Sequence, residues 1–312
     1  MEIIIPVIDS TLPFCLKYVV PALLKFIEGG QVILLGKGEL KKKISDPNIR
    51  LQDEDCIFPE MTLKRLKDVI KEQGGLASRA GWYFQQFLKM AWAYKTKENR
   101  YLVWDSDTIP LNPLSFIENN KILFNQKTEY NQPYFETINT LFHGKITKKI
   151  NGSFIAEHMV IDSGIMKRML DEISFDINLK GESFWEKILY SVPETSLSHS
   201  GFSEFETYGN YALSVSDVYS PRILRTLRSG RVFLGTSPSK KQLDDASKYY
   251  DLVSIESPSK SFGLASKVMP WTTKFLRFCF IPFPIIVKVY IKMRKAYYRI
   301  IFHKTLFDIE GC

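Results

Sequence analysis

Three short apolar segments constrain the fold of this chain most strongly. Each is rich in β-branched or aromatic residues, and they are IIIPVI (3–8), QVILL (31–35) and YLVW (101–104). Segments of this kind are typical of strands buried on both faces of a parallel sheet. Helical apolar spacing separates them, over residues 12–28, 60–73 and 76–95. The alternation predicts an α/β fold with a mostly parallel central sheet flanked by helices.

The ends of these strands are the expected place for a ligand. In open α/β sheets, ligands bind at the carboxyl ends of the strands. The first two segments lead to Asp9 and Gly36, and the YLVW segment leads directly to Asp105. Further along, Asn151-Gly152 predicts a hairpin between KKI and FIAEHMVI, and LVSI (252–255) predicts a last strand.

Net charge divides the chain into two parts. The formal charge is +8, yet residues 1–266 hold 33 basic and 32 acidic side chains. Residues 267–307 hold nine basic side chains and no acidic one. A nucleic-acid-binding protein would carry its basic residues on the folded body, so nucleic acid is not expected as a partner. We predict a folded domain over 1–260, followed by a linker and a basic, aromatic tail over 261–312.

Cysteine usage and the N-terminus bear on the cellular location. Four cysteines lie far apart and form no CxxC pair, which argues against a zinc site and a disulfide framework; they are Cys15, Cys56, Cys279 and Cys312. The chain opens with Met1-Glu2 and a short apolar run, unlike a secretory signal peptide. A cytoplasmic location is expected.

The segment YLVWDSDTIPL (101–111) carries the sharpest chemical signal. Its strand delivers Asp105 and Asp107 into a loop, where both carboxylates can turn toward one hard cation. Mg²⁺ or Mn²⁺ prefers such oxygen ligands and bridges to substrate phosphates. The alternative is ordinary turn chemistry, because aspartate is common where strands end.

Two further segments carry candidate site residues. In GWYFQQFLKMAWAY (81–94), Gln85 and Lys89 share a helix face with Gln86 beside them. They could line a polar pocket beside a diphosphate, or form a solvated face over an aromatic core. In HSGFSEFETYGNY (199–211), aromatic residues surround Glu204 and Glu206. Partial desolvation raises a carboxyl pKa and suits a general base, whereas a solvated surface loop is the alternative.

Two histidines are weaker candidates. His158 lies in AEHMVID, where a lone histidine is more often structural than part of a site. His199 could complete a metal shell, on no more evidence than its closeness in sequence to Glu204.

Four segments, in their order along the chain, resemble bacterial GT-A glycosyltransferases of surface-polysaccharide gene clusters. They are GWYFQQFLKMAWA, YLVWDSDTIPL, FIAEHMVID and FSEFETYGNY. More narrowly, the GWYxQQ, DSD and SExExYGNY motifs resemble a subfamily described only as a domain of unknown function. The resemblance covers about residues 1–260 and implies a Rossmann-like GT-A catalytic domain.

The resemblance also implies a site. A nucleotide-sugar donor, with a UDP-sugar favoured, would be bound with Mn²⁺ or Mg²⁺ held by Asp105 and Asp107. Donor contacts are expected from Pro6, Val7, Asp9, Gln85, Gln86, Lys89, Asp105, Ser106 and Asp107. Acceptor contacts are expected from His158, Phe202, Tyr208 and Asn210. By position, the base of an inverting transfer falls on Glu204 or Glu206, and this segment holds no strict Glu-Asp pair.

The tail carries a second prediction. After Pro284, IIVKVYIKMRKAYYRIIF interleaves apolar and basic positions at helical spacing, and the segment is too short and too charged to span a bilayer. A basic amphipathic helix of this kind lies on an anionic membrane. The alternative is a helix docked on the catalytic domain or on another subunit. Membrane binding would place the protein on the inner face of the cytoplasmic membrane, where a lipid-linked glycan is a natural acceptor.

Two other functions compete with a glycosyltransferase. A nucleotidyltransferase would usually carry a glycine-rich phosphate loop near its first strand, and IIIPVIDSTLP has none. A non-catalytic glycan-binding protein on the same fold is the other alternative, which the intact DSD and SEFE segments disfavour.

Overall fold

The computed structural model describes residues 1–256, 272–273 and 281–302. Its strands are β1 (Glu2–Pro6), β2 (Gln31–Gly36), β3 (Arg50–Asp53), β4 (Arg100–Trp104), β5 (Thr108–Pro110), β6 (Ile117–Glu118), β7 (Lys121–Asn125), β8 (His158–Asp162), β9 (Tyr219–Arg222), β10 (Thr226–Leu227) and β11 (Leu252–Ser254). Its α-helices are α1 (Leu12–Phe14), α2 (Val20–Phe26), α3 (Leu63–Glu72), α4 (Ala80–Ala91), α5 (Gln132–Leu141), α6 (Ser163–Phe175), α7 (Phe184–Ser191), α8 (Glu194–Leu197), α9 (Glu204–Val215), α10 (Gly230–Leu234), α11 (Lys240–Ser247) and α12 (Phe283–Phe302).

The chain divides into two compact units. The first unit contains Met1–Leu16, Gly29–Ser106 and Ser115–Ile223, and the second contains Lys17–Glu28, Asp107–Leu114 and Leu224–Cys312. The linker expected near residue 260, together with Cys279 and Cys312, lies outside the described residues.

The first unit is built on a five-stranded sheet with the order β3-β2-β1-β4-β8. Strands β1 to β4 are parallel, and β8 runs antiparallel to β4. Strands β1, β2 and β4 are buried except at the first residue of each, as their runs of isoleucine, leucine and valine predict. Helix α4 packs on β1 and contacts α3 and α9. The mixed α/β fold with a mostly parallel central sheet is therefore confirmed.

A smaller sheet in the first unit replaces the expected hairpin. Its order is β6-β7-β9, and Lys127 forms an isolated bridge with Ser153. The hairpin prediction at Asn151-Gly152 is wrong, because the HMVID part of the following segment pairs with β4 as strand β8. A central strand offers a long buried partner, which outweighs the local turn signal of Asn-Gly.

The second unit contains the three-stranded sheet β10-β11-β5 and helix α12. Strand β11 confirms the last predicted strand, and α12 forms where the sequence predicts a helix after Pro284. One face of α12 is buried through Phe283, Ile286 and Val287. The ring of Phe283 lies edge-on to those of Phe233 and Tyr250 within the same unit. Among the described residues, no helix has the length and apolar character that crossing a membrane requires.

Candidate functional site

A cavity of about 550 Å³ lies at the carboxyl ends of β1 and β2 in the first unit. Its wall includes Pro6 to Asp9 after β1, Lys37 and Glu39 after β2, and Gln85 with Trp82 from α4. Apolar surface predominates, with a few polar groups, as in binding sites for small organic ligands. This volume is in the range of such sites.

The cavity carries charge of both signs. Lys37 lines it, and at its rim Asp9 accepts a hydrogen bond from Lys43. Glu54, which follows β3, also lines it and is only 7% exposed. Burial, together with the negative charge of Asp55, raises the pKa of Glu54 to about 7, while Lys37 acts in the opposite direction. A buried carboxyl and a lysine therefore face the same small space.

Apart from Asp105 and Asp107, which do not line the cavity, the predicted donor-binding residues separate into two groups. Those that line the cavity are Pro6, Val7, Asp9, Gln85 and Ser106. Gln86 and Lys89 instead are buried between helices α4 and α9 and bind protein groups. Because residues on a helix point outward in different directions, only the Gln85 face of α4 turns toward the cavity.

Lys89 forms the centre of a buried charge cluster. Its Nζ lies 2.7 Å from Oδ1 of Asp105 and 2.9 Å from Oε1 of Glu204. The Lys89 side chain is 5% exposed and that of Glu204 8%, whereas Asp105 keeps 35% of its side chain exposed. Although burial opposes the charged form, these two carboxylates raise the pKa of Lys89, which stays a cation.

The N-terminus of α9 is tied to α4 at the same place. The backbone N–H of Glu204 donates to Oε1 of Gln86, at 3.1 Å. Ser203 accepts from the backbone N–H of Glu206 and caps the helix. These two bonds fix the first turn of α9, and with it the direction of the Glu204 side chain.

Glu206 has a different environment from Glu204. It has no exposed surface, and its carboxylate accepts the backbone N–H of Phe154 at 2.6 Å and a weaker bond from Asn210. Burial raises the pKa of Glu206 to about 7. A base must reach the hydroxyl of an acceptor, and the enclosure of Glu206 argues against this role. The assignment of a base to Glu204 or Glu206 stays a prediction.

The predicted acceptor-binding residues are also enclosed. Phe202, Tyr208 and Asn210 have no exposed surface, and His158 is 2% exposed. The imidazole of His158 stacks on Trp104, and burial holds its pKa well below its usual range, so the ring is neutral. A sugar cannot stack on a ring that is packed on all sides. The burial of these four residues argues against direct contact with an acceptor, and that contact stays a prediction.

Asp105 and Asp107 are the predicted cation ligands. Asp107 belongs to the second unit, where its carbonyl accepts the N–H of Ile255. The described residues contain no group of three or more histidine, cysteine, aspartate or glutamate side chains that could hold a metal ion. The imidazole of His199 therefore joins no such group. The carboxylate of Asp105, with 35% of its side chain exposed, suits Mg²⁺ or Mn²⁺ as one ligand, since these ions take other ligands from water and substrate phosphates.

The sequence reasoning missed three charged residues of this region. Glu54 lies in the acidic run Asp53–Asp55, which directly follows β3. Lys127 and Glu157 form a buried ion pair at 3.2 Å, and the carbonyl of Glu157 accepts the N–H of Asp105. An acidic residue at a strand end was the available signal for Glu54. No local signal could have found the partner of Glu157, because it lies 30 residues away in the chain.

A comparison with protein families gives one assignment. Residues 37–219, more than half of the chain, match a family of unknown function, DUF6492. The chain belongs to this family. The matched range holds the DSD segment, helix α4 and helix α9. The match agrees with the resemblance to a family of unknown function, and the subfamily defined by the GWYxQQ, DSD and SExExYGNY motifs stays a prediction. A search of curated proteins gives no match.

Three solved structures with a similar arrangement are glycosyltransferases. Mouse xyloside xylosyltransferase 1 in its apo form is 10% identical, with a TM-score of 0.41, 82% of this chain covered and 99% of that chain. The bifunctional glycosyltransferase WbbM is 12% identical at a TM-score of 0.39, with 84% of this chain covered and 46% of that chain. The galactosyltransferase LgtC, in complex with donor and acceptor sugar analogues, is 12% identical at a TM-score of 0.39, with 84% of this chain covered and 89% of that chain. Similarity at this level is too low to transfer an activity.

Proposed function

We propose that the protein is a GT-A-type glycosyltransferase that moves a sugar from a nucleotide diphosphate to a saccharide acceptor. The observation that carries this proposal is the cavity at the carboxyl ends of the parallel strands, whose wall includes Ser106 of the DSD segment. A cavity in this position suits a nucleotide, and the adjacent carboxylate of Asp105 suits the cation that accompanies a diphosphate.

The nucleoside would occupy the cavity. Trp82 offers an aromatic surface for a base, and the carboxyl of Glu54 can accept an N–H from its edge. Uracil, thymine and guanine have such a ring N–H, whereas adenine and cytosine do not. Among nucleotides of the first three bases, we propose a UDP-sugar as the donor. Lys37 and Gln85 supply donors for ribose or phosphate oxygens.

Asp105 and Asp107 would hold Mn²⁺ or Mg²⁺. When bound, the ion would neutralise the donor diphosphate and stabilise it as the leaving group. Lys89 already binds Oδ1 of Asp105 from the protein interior, so the exposed part of this carboxylate is what can meet an ion.

Glu204 is the better candidate for the base of an inverting transfer. Its carboxylate lies beside Asp105, because both bind the same ammonium, and the capped first turn of α9 holds it in place. It would accept the proton of the acceptor hydroxyl as that oxygen attacks the sugar carbon.

We further propose that the acceptor is a glycan of a surface polysaccharide, such as capsule, O-antigen or lipopolysaccharide, and that it can be lipid-linked. Helix α12 supports a membrane location. Next to the face of Phe283, Ile286 and Val287, the helix exposes Ile285, Val289 and Met293 at i, i+4 and i+8. The exposed lysines 288 and 292 lie on the far side of this row. Docking thus covers one face, and the other has the apolar and cationic character that binds an anionic bilayer. The protein would then lie peripherally on the inner face of the cytoplasmic membrane.

Release of UDP from a panel of sugar nucleotides tests the enzymatic proposal. Turnover with one donor is expected in Mn²⁺ or Mg²⁺, with loss in EDTA and recovery on adding the metal back. Release of pyrophosphate from a nucleoside triphosphate would instead identify a nucleotidyltransferase. Glycan binding without any turnover would identify a binding protein.

Vesicle flotation tests the membrane location. The variant V289E/M293E places two carboxylates on the exposed face of α12, and we expect it to lose flotation with phosphatidylglycerol vesicles. Its matched control, V289A/M293A, keeps the charge of the helix and should retain most of the binding. Equal flotation of the glutamate variant and the wild type would remove the membrane proposal while leaving the enzymatic one intact.

A further inference from the structure

Lys89 is a buried cation whose role the proposed reaction does not yet explain. Its ammonium makes hydrogen bonds to the carboxylates of Asp105 and Glu204, at 2.7 and 2.9 Å. These residues are 16 and 115 positions away in the chain. The fold thus brings one lysine between the residue proposed to bind the cation and the residue proposed to accept the proton.

The position of the ammonium is fixed from several directions. The carbonyl of Lys89 accepts the hydroxyl of Tyr101 at 2.9 Å, which ties this turn of α4 to β4. The ring of Phe205 lies with its centroid 4.9 Å from Nζ. Since a buried ammonium needs its charge compensated, the two carboxylates leave it little freedom to turn elsewhere.

Direct contact with the donor does not explain the position of Lys89. The cavity wall contains Gln85 and Leu88 from the same helix but not Lys89. Its ammonium is paired with the carboxylates of Asp105 and Glu204, so its hydrogen bonds are directed at protein groups.

Resting on the function proposed above, we propose that Lys89 is a positioning residue that fixes the carboxylates of Asp105 and Glu204 relative to each other. One oxygen of each carboxylate is held by the same ammonium, so the side of the site that holds the cation and the side that accepts the proton keep a constant separation. Lys89 acts through these two residues and does not touch the donor.

Lys187 provides a matched control. It is also a buried lysine of the first unit, 5% exposed, but its Nζ donates to the backbone carbonyls of Ser174 and Asp176, at 2.7 and 2.6 Å. Replacing either lysine with methionine removes a buried charge of the same kind. Only the Lys89 substitution removes the link between Asp105 and Glu204.

The experiment compares K89M, K187M, E204Q and K89M/E204Q as full chains, at saturating Mn²⁺, with the donor identified from the panel. We expect K89M to lower kcat about 100-fold or more, with KM for the donor and calorimetric affinity for UDP changed less than about threefold. K187M should lower the melting temperature and leave kcat within about twofold, because its contacts are structural. E204Q should lower kcat much less in the K89M background than in the wild type, since both changes disrupt the same contact of Lys89 with Glu204.

Three results would overturn the inference. The first is wild-type kcat in K89M, and the second is weakened UDP binding with unchanged kcat, which would make Lys89 a donor contact. The third is an E204Q effect of equal size with and without Lys89. If K89M fails to fold, two other variants carry the test. K89M/E204Q removes one of the two carboxylates that K89M leaves without a cation. K89R keeps the charge and should retain more of the wild-type kcat. Wild-type protein without turnover on any donor would reject the proposed function as well, whereas turnover that K89M leaves unaltered rejects this inference alone.

Discussion

Two junctions of the first unit each enclose a lysine, and they differ in what the lysine binds. At the junction of α6 and α7, Lys187 satisfies carbonyls at the C-terminal end of α6, groups that have no partner within the helix. At the junction of α4 and α9, Lys89 binds two carboxylates, one of them partly exposed beside the cavity. The first arrangement completes secondary structure, while the second keeps three charges together at the edge of a cavity. Burial of a charge does not indicate function by itself; the chemistry of its partners does.

The largest expected effect comes from removing the exposed member of the α4–α9 junction. Asp105→Ala should lower kcat about 1000-fold or more, because it removes a ligand of the proposed cation. Glu186→Gln is the counterpart near α7, where Glu186 caps its helix and binds Arg65. This variant should lose about 1–3 kcal/mol of stability and keep its turnover per folded molecule. Steady-state kinetics and thermal unfolding distinguish the two variants. If both lose kcat to a similar extent, the two junctions do not differ in function.

A smaller effect is expected within helix α9. Glu204→Gln should lower kcat about 100-fold, as loss of a general base does, with little change in the melting temperature. Glu206→Gln should leave kcat within about threefold, because this side chain is enclosed. If Glu206→Gln causes the larger loss of kcat, the assignment of the base to Glu204 is wrong.

The smallest effect concerns stability alone. The pKa of Glu206 is about 7 in the folded protein, above the ordinary value of 4.5, so the folded state binds more protons between these two values. Stability should therefore fall as the pH rises from 4.5 to 7 and level off above 7, a contribution on the order of 3 kcal/mol. Glu54 acts in the same direction.

Thermal unfolding at pH 5.5 and pH 8 measures this contribution. Glu206→Gln should show a smaller difference in melting temperature between the two pH values than the wild type, because one of the two groups no longer titrates. An unchanged difference would mean that Glu206 is not the group responsible.

Local patterns determined the elements of this protein and the kind of chemistry at one edge of its sheet. The apolar runs became β1, β2 and β4, and helical spacing predicted α3 and α4 within a few residues of their ends. Strand β3 was missed because RLQD is half-exposed at the edge of the sheet and has no apolar run. The cavity-lining residues that follow β1 could be named because strand ends in such sheets converge on one edge.

Only the tertiary structure decided which charged side chains meet. The sequence suggested Gln85, Gln86 and Lys89 as one group, but one position along α4 turns a side chain from the cavity to the α9 interface. It suggested Glu204 and Glu206 as equals, and packing gave one of them a lysine partner and enclosed the other. Spacing along a helix or strand is a local property that the chain carries with it. The contact of Lys89 with Glu204 joins residues 115 positions apart, and such a contact exists only once the sheet has brought α4 and α9 together.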